Sequence, residues 1–327
     1  MLGKQIKELR QKNKISLEEL AHKSGLSVDT LRLIEQDDIE HIEDSRLLKI
    51  ADNLCLKSAL DFACLMKTNK AFRRFHAYVV GLPKTGTVSL AAVFGNYRSL
   101  HEFHQRETHQ EIIKLNQGQI SKKEFSQFIR KRDFLAGFLE MDAAHFNRHY
   151  IDILAEEFPK AKFLCLIRDC YSWVNSCVNY YTHPEKEALE VSELPNGMPF
   201  DLPIGSNSQK DELKKNFHKY IDVPLIFWTT EYKKILEKLP PDRSMIIKTN
   251  EISAKLDEIA RFLNVSYNSL FTEQSHLNKA KYGVGILFSL DMDFLEAKFR
   301  EHCSDLIEEF FPDYSLQDYF KGKKMWQ

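Results

Sequence analysis

The stretch His76–Leu90, HAYVVGLPKTGTVSL, constrains this chain more than any other. Tyr78, Val79 and Val80 are strand formers, and an apolar run that stops at a glycine suits a buried parallel strand. Gly81 and Gly86 frame a turn holding Pro83, Lys84 and Thr85, with Thr87 directly after it. Ser89 to Phe94 then read as a short apolar helix. A helix start carries unpaired N–H groups and the positive end of the dipole. A lysine and hydroxyls at that point make an anion cradle suited to a phosphate. Pro83, Lys84, Thr85, Gly86, Thr87, Val88 and Ser89 are the candidate binding residues. The order differs from a Walker A loop, because Lys84 lies inside the glycine frame instead of following it.

A second stretch, Lys162–Ser176, reads KFLCLIRDCYSWVNS. Phe163 to Ile167 is another apolar strand, ended by Arg168-Asp169, and a helix follows. On a helix starting near Cys170, Ser176 faces the same side as the strand end, so Arg168 and Ser176 can converge on one anion. Pro-Lys-Thr-Gly-Thr after a strand, then an Arg at a later strand end with a Ser eight residues on, resembles the sulfotransferases that use 3′-phosphoadenosine 5′-phosphosulfate (PAPS). The resemblance covers about residues 76 to 320. It implies a P-loop-like α/β fold, a central parallel sheet with helices on both faces, which agrees with the strand–helix alternation. It also implies that residues 83–89 hold the 5′-phosphate and that Arg168 and Ser176 hold the 3′-phosphate. A basic segment, HLNKAKYGVG, offers Lys279 and Lys281 as closing residues over the 3′-phosphate.

Residues 1–70 read as helical throughout. Ser16 caps a helix with Glu19 three residues on, Gly25 ends it, Ser27 caps the next, and a further helix runs through RLLKIADNLCL. With Leu9-Arg10, Leu20-Ala21, Gly25-Leu26-Ser27, Ile34-Glu35, Leu48, Ile50-Ala51 and Leu54, this segment resembles a lambda-repressor-like helix-turn-helix domain. Its 12 Lys+Arg balance 12 Asp+Glu, so few phosphate contacts are available. Leu17 stands where that family commonly carries a DNA-contacting Gln, and Asp29 lies on the recognition helix. A self-association or partner-binding module is thus at least as good a reading as a DNA reader. The division expected is 1–70 and 71–327, with AFRRF at the junction and no Pro/Gly-rich linker between close-packed domains.

The formal net charge of −1 supplies no global field toward nucleic acid or membrane. No run approaches the roughly 20 apolar residues a membrane helix needs. The N-terminus lacks the apolar core of a signal peptide, and the six cysteines contain no C-x-x-C pair. These features point to reduced thiols in a cytoplasmic protein.

The resemblance places the acceptor base at the end of the strand expected over Phe134–Leu139. Glu140 ranks first there and Asp142, on the same face by alternation, second. His101 and His104, in SLHEFHQRETHQ, rank third. No Cys or carboxylate pattern completes a metal site with His101, His104 and His109. Residues 147–158 read as an amphipathic helix, and 182–210, rich in proline, as a long loop shaping the acceptor pocket. Phe227 and Trp228 are expected in the core. Ser244–Lys248 and Lys255–Leu263 read as a last strand and helix.

The implied reaction moves a sulfuryl group from PAPS to a hydroxyl or amine of a small-molecule, glycan or peptide acceptor. Lys84 would stabilise the leaving oxygen, and a general base would take the acceptor proton. A P-loop nucleotide kinase is disfavoured by the missing Gly-Lys-Ser/Thr ending. The other alternative is a nucleotide-sensing regulator with a DNA-binding or protein-binding N-terminal domain.

Overall fold

The computed structural model describes residues 2–36, 49–50, 53–54, 73–181, 206–276 and 285–324. Residues 182–205 of the long loop expected over 182–210, Lys279, Lys281 and most of the helix expected over 46–56 lie outside the described residues, and residues 207–210 of that loop are helical instead.

At the N-terminus, α1 (Leu2–Lys12), α2 (Leu17–Ser24) and α3 (Val28–Glu35) follow their punctuation. The Ser16 hydroxyl accepts from the Glu19 N–H, Ser27 accepts from the Thr30 N–H, and Gly25 takes the left-handed conformation with φ 67°. Ile6, Leu20, Ala21, Leu31, Ile34, Ile50 and Leu54 form the core of this unit. Arg10 makes a two-pronged ion pair with the buried Glu35, at 2.6 and 2.9 Å.

The larger unit is built on β1 (Ala77–Gly81), followed by α4 (Thr87–Val93), β2 (Ser99–His101), α5 (Gln105–Asn116), α6 (Lys122–Leu135) and β3 (Met141–Ala143). A 3₁₀ turn over His145–Tyr150 leads to α7 (Ile151–Glu157), then β4 (Lys162–Ile167) and α8 (Cys170–Tyr181). The chain continues with α9 (Asn207–Lys215), α10 (Asp222–Lys238), β5 (Ser244–Lys248), α11 (Leu256–Leu263), α12 (Met292–Phe310) and α13 (Leu316–Lys324). The five strands are parallel in the order β2-β3-β1-β4-β5.

The sheet is covered on both faces, which explains why its central strands are continuous apolar runs. Tyr78, Val80, Phe163, Cys165 and Ile167 face one core with Phe146, Trp173 and Trp228. Ala77, Val79, Leu164 and Leu166 face the other with Leu90, Phe94, Ile259 and Leu263. Because every strand runs the same way, all C-terminal ends lie along one rim, where α/β sheets place their ligands.

Two further expectations need correction. The apolar run Phe134–Leu139 forms no strand: Phe134 and Leu135 lie in the last turn of α6, Gly137 and Phe138 turn with φ 74° and 58°, and the strand begins at Met141. Phe134 and Phe138 pack edge to face into the helix-turn-helix core instead of the sheet, so their hydrophobicity serves the domain contact. The helix expected over 147–158 starts later, at Ile151, because a 3₁₀ turn occupies His145–Tyr150.

Candidate functional site

The turn after β1 sits on the C-terminal rim. Gly81 has φ 153°, and a Cβ there would stand 2.6 Å from the Leu166 carbonyl of β4. Gly86 has φ 102°, and a Cβ there would meet Ile252 Cδ1 at 2.9 Å. Only glycine suits either place. Lys84 also adopts positive φ, 67°, which a non-glycine residue holds only when its surroundings impose it.

Those surroundings are specific. Trp173 Nε1 donates to the Pro83 carbonyl at 2.8 Å, Arg168 Nη1 to the Lys84 carbonyl at 2.8 Å, and Thr249 Oγ1 to the Thr85 carbonyl at 2.8 Å. The Thr85 hydroxyl, fully buried, donates back to the Leu82 carbonyl at 2.7 Å. Three successive carbonyl dipoles are thus neutralised from outside the turn. Helix α4 then begins at Thr87, with Gly86 as an N-cap that has no side chain, so no side-chain cap occupies the N–H groups of its first turn. Thr87 and Ser89 are buried and Val88 half-buried. Lys84 Nζ lies 4.2 Å from the centre of the Tyr180 ring on α8.

Arg168 ends β4 beside this turn. Trp228 Nε1 donates to its carbonyl at 3.0 Å, and its own N–H donates to the Tyr232 hydroxyl at 3.3 Å, so α10 fixes the strand end. Its Nε donates to Ser172 Oγ at 2.9 Å, while Asp169 caps α8 through the Ser172 N–H. Ser176 lies one turn beyond Ser172, on the same helix face, and is half-buried. Arg168 and the turn are therefore brought together, with Ser176 on the side that faces them.

The base candidates separate. The Glu140 carbonyl accepts from the Ala77 N–H, which places Glu140 at the N-terminal end of the sheet, opposite the Lys84 turn. Its carboxylate is fully buried and bound by Arg74 Nε at 2.9 Å, Arg74 Nη2 at 2.7 Å, and the Arg74 and Arg98 N–H groups. Burial pushes that carboxyl up, but these donors outweigh it and hold it below the usual range. The first-ranked base is thus a structural ion pair. Asp142 lies inside β3, buried, and is held by both terminal nitrogens of the buried Arg132. Neither carboxylate is presented to an acceptor. His104 caps α5 with φ 51° and stacks on Phe103 at 4.1 Å, and no contact joins it to the turn among the described residues.

His101 is the predicted base residue that reaches the turn. It ends β2, and its Nε2 stands 2.9 Å from Thr87 Oγ1. Burial lowers its pKa below the ordinary value, so the imidazole is neutral at pH 7. The Glu102 carboxylate lies 3.5 Å from the same nitrogen and hydrogen-bonds His145 Nδ1 at 2.5 Å. Burial pushes Glu102 up, but the hydrogen bond from His145 and the neighbouring imidazoles prevail and hold it below the usual carboxylate range. His109 packs edge to face on His145, and burial pushes its pKa down to about 4.

Glu102, His145 and Arg132 are the site residues that sequence reasoning missed. His145 follows the true end of β3, so placing that strand at 134–139 moved attention away from it. Arg132, in a charged helix, has no local mark of burial. Glu102 carried the available signal, an acid directly beside His101 at a strand end.

One further cluster among the described residues has metal-ligand spacing, Asp222, Glu301 and His302. The Lys298 ammonium already lies within it, 2.9 Å from Asp222 and 3.1 Å from Glu301.

A family model described as a sulfotransferase domain matches residues 78–266, and one described as helix-turn-helix matches residues 6–54. No curated protein matches the chain. Among solved structures it is similar to a sulfotransferase from Alicyclobacillus acidocaldarius, with 16% identity over 69% of this chain and 94% of that one and a TM-score of 0.39. It is also similar to sulfotransferase STF1 from Mycobacterium tuberculosis, with 11% identity over 89% and 92% of the two chains and a TM-score of 0.41. With the Lys84 turn and the Arg168 strand end meeting on one rim of a parallel sheet, and the family match spanning more than half of the chain, this protein belongs to the sulfotransferase-domain family and carries an N-terminal helix-turn-helix unit.

Proposed function

We propose that this protein transfers a sulfuryl group from PAPS to a hydroxyl or amine of an acceptor, in the cytoplasm, with residues 1–70 as a separate module and 71–327 as the transferase. The observation that carries the reading is the Arg168–Lys84 contact, which joins the strand-end arginine to the phosphate turn. The residues fit the donor nucleotide: an uncapped helix start, buried hydroxyls and a lysine for the 5′ side, Arg168 and Ser176 for the 3′-phosphate. PAPS supplies the activated sulfuryl group when bound.

In this reading the N–H groups of residues 85–89 hold the 5′-phosphate. Lys84 stabilises the negative charge that grows on the bridging oxygen as the sulfur–oxygen bond breaks. His101, neutral and at the turn, takes the proton from the acceptor as the new bond from sulfur to the acceptor oxygen or nitrogen forms. Glu102 stabilises the imidazolium that results, and His145 fixes Glu102. The chemistry is mostly positioning and charge stabilisation, as for phosphoryl groups, and needs no metal. Incubation with ³⁵S-labelled PAPS and fractionated extract tests it. A labelled acceptor fraction, lost with Lys84→Ala, is expected; absence of label in every fraction overturns it.

A further inference from the structure

The end of α6 joins the helix-turn-helix unit to the His101 segment through neighbouring residues. Phe134 lies in the helix-turn-helix core with Ile6, Leu20, Leu31 and Ile34, and Phe138 enters the same core. Asp133 pairs with Arg73 at 2.6 Å. Arg132, buried, donates through Nε to the Phe103 carbonyl at 3.0 Å while its terminal nitrogens hold Asp142.

The segment that Arg132 touches is strained. Glu102 and His104, on either side of Phe103, both have φ of 51°. Left-handed backbone at residues with side chains persists only where contacts over-determine it. The Glu102 N–H is held by the Ala143 carbonyl at 3.0 Å, and the Phe103 carbonyl by Arg132. Phe138 is strained too, with φ 58°, and its carbonyl accepts from Arg73 at 3.2 Å and Arg98 at 3.0 Å. A buried arginine cannot shift without leaving Asp142 unpaired, so its place is fixed by where α6 ends. That end is set by two rings buried in the other unit.

We propose that the helix-turn-helix core is a positioning element of the transferase site: Phe134 and Phe138 anchor α6, and Arg132 is the positioning residue that holds segment 101–104 in its strained conformation. The N-terminal unit is then a part of the site, and anything that loosens it loosens His101 and Glu102. The consequence for transfer rests on the function proposed above; the mechanical link does not.

The test is amide hydrogen exchange on the full chain, comparing wild type with Phe134→Ala, Phe134→Leu and Leu31→Ala. Leu31 lies in the helix-turn-helix core on α3, a different element from α6. Expected are amides of residues 101–104 exchanging about tenfold faster in Phe134→Ala and Leu31→Ala, with recovery in Phe134→Leu and unchanged exchange in strands β1 and β4. Binding of adenosine 3′,5′-bisphosphate stays within about twofold of wild type, because the nucleotide side is held by other elements. Where wild type transfers sulfate, kcat falls and the KM for PAPS holds. Unchanged exchange at 101–104 while residues 17–35 exchange faster overturns the link. So does a uniform acceleration across the whole chain in every variant, which would make the contact general support. If wild type transfers no sulfate, the functional reading fails, and the exchange result still decides the link.

Discussion

Arg168 donates to the Lys84 carbonyl at 2.8 Å across 84 residues of sequence. In the function proposed above, this bond makes one anion site from two motifs. It also couples them, because the same guanidinium that would meet a 3′-phosphate supports the left-handed backbone of the lysine. Losses at Arg168 therefore spread to the turn, whereas losses at Ser176 stay local.

Ser176→Ala should weaken adenosine 3′,5′-bisphosphate more than AMP. Arg168→Ala should weaken both, the bisphosphate more, since removing a charged hydrogen bond costs about 1.5–3 kcal/mol. Calorimetry with the two nucleotides decides this. Equal losses for both ligands in both variants would remove these residues from the 3′-phosphate.

Lys84→Ala should reduce turnover more than nucleotide affinity, because charge on the bridging oxygen grows toward the transition state. Single-turnover rates with labelled PAPS, set beside calorimetric affinities, separate the two effects. An unchanged rate would exclude Lys84 from the chemistry.

His101→Gln should cut transfer by roughly 10²–10⁴-fold while nucleotide binding holds, the range for a general base. Glu140→Gln should leave transfer intact and lower stability by about 1–3 kcal/mol, because Arg74 and Arg98 lose a charged acceptor at a buried position. Rates and urea midpoints for both variants test the pair of statements together. Lost transfer in Glu140→Gln with His101→Gln active would return the base to the position first expected.

Stability should fall as the solution is acidified below pH 6.5. His109 is held near 4 by burial, and His76 and His149 are held well below the ordinary value for the same reason. In each case the folded pKa lies below the unfolded one, so between them the unfolded chain binds more protons. The stabilisation is complete above the unfolded pKa and is lost as pH falls toward the folded one, by at most about 1.4 kcal/mol per pH unit and histidine. Urea midpoints at pH 7 and pH 5 should differ, and His109→Asn should shrink the difference.

The helix-turn-helix unit should show no tight sequence-specific DNA binding. On its second and third helices Lys23 pairs with Glu19 at 2.7 Å and Arg32 with Asp29 at 2.7 Å, so those cations already have acidic neighbours. A genomic selection with the full chain checks this, and a nanomolar, salt-sensitive complex would refute it.

The sequence by itself determined β1, β4, the glycine-framed turn after β1 and the helix-turn-helix caps. Gly81, Gly86, Gly25, Ser16 and Ser27 act through backbone geometry within a few residues, so their consequences are local. Long apolar runs buried on both faces leave little choice about what they form. The tertiary structure decided the rest. It drew Phe134 and Phe138 into a second domain's core, and so moved β3 to Met141–Ala143. It put Glu140 at the far end of the sheet against Arg74 and tied Asp142 to Arg132. It set His101 against Thr87 with Glu102 and His145 behind it. A carboxylate's role depends on which charge it meets and at which end of the sheet it lies, and both are set by contacts between residues distant in sequence.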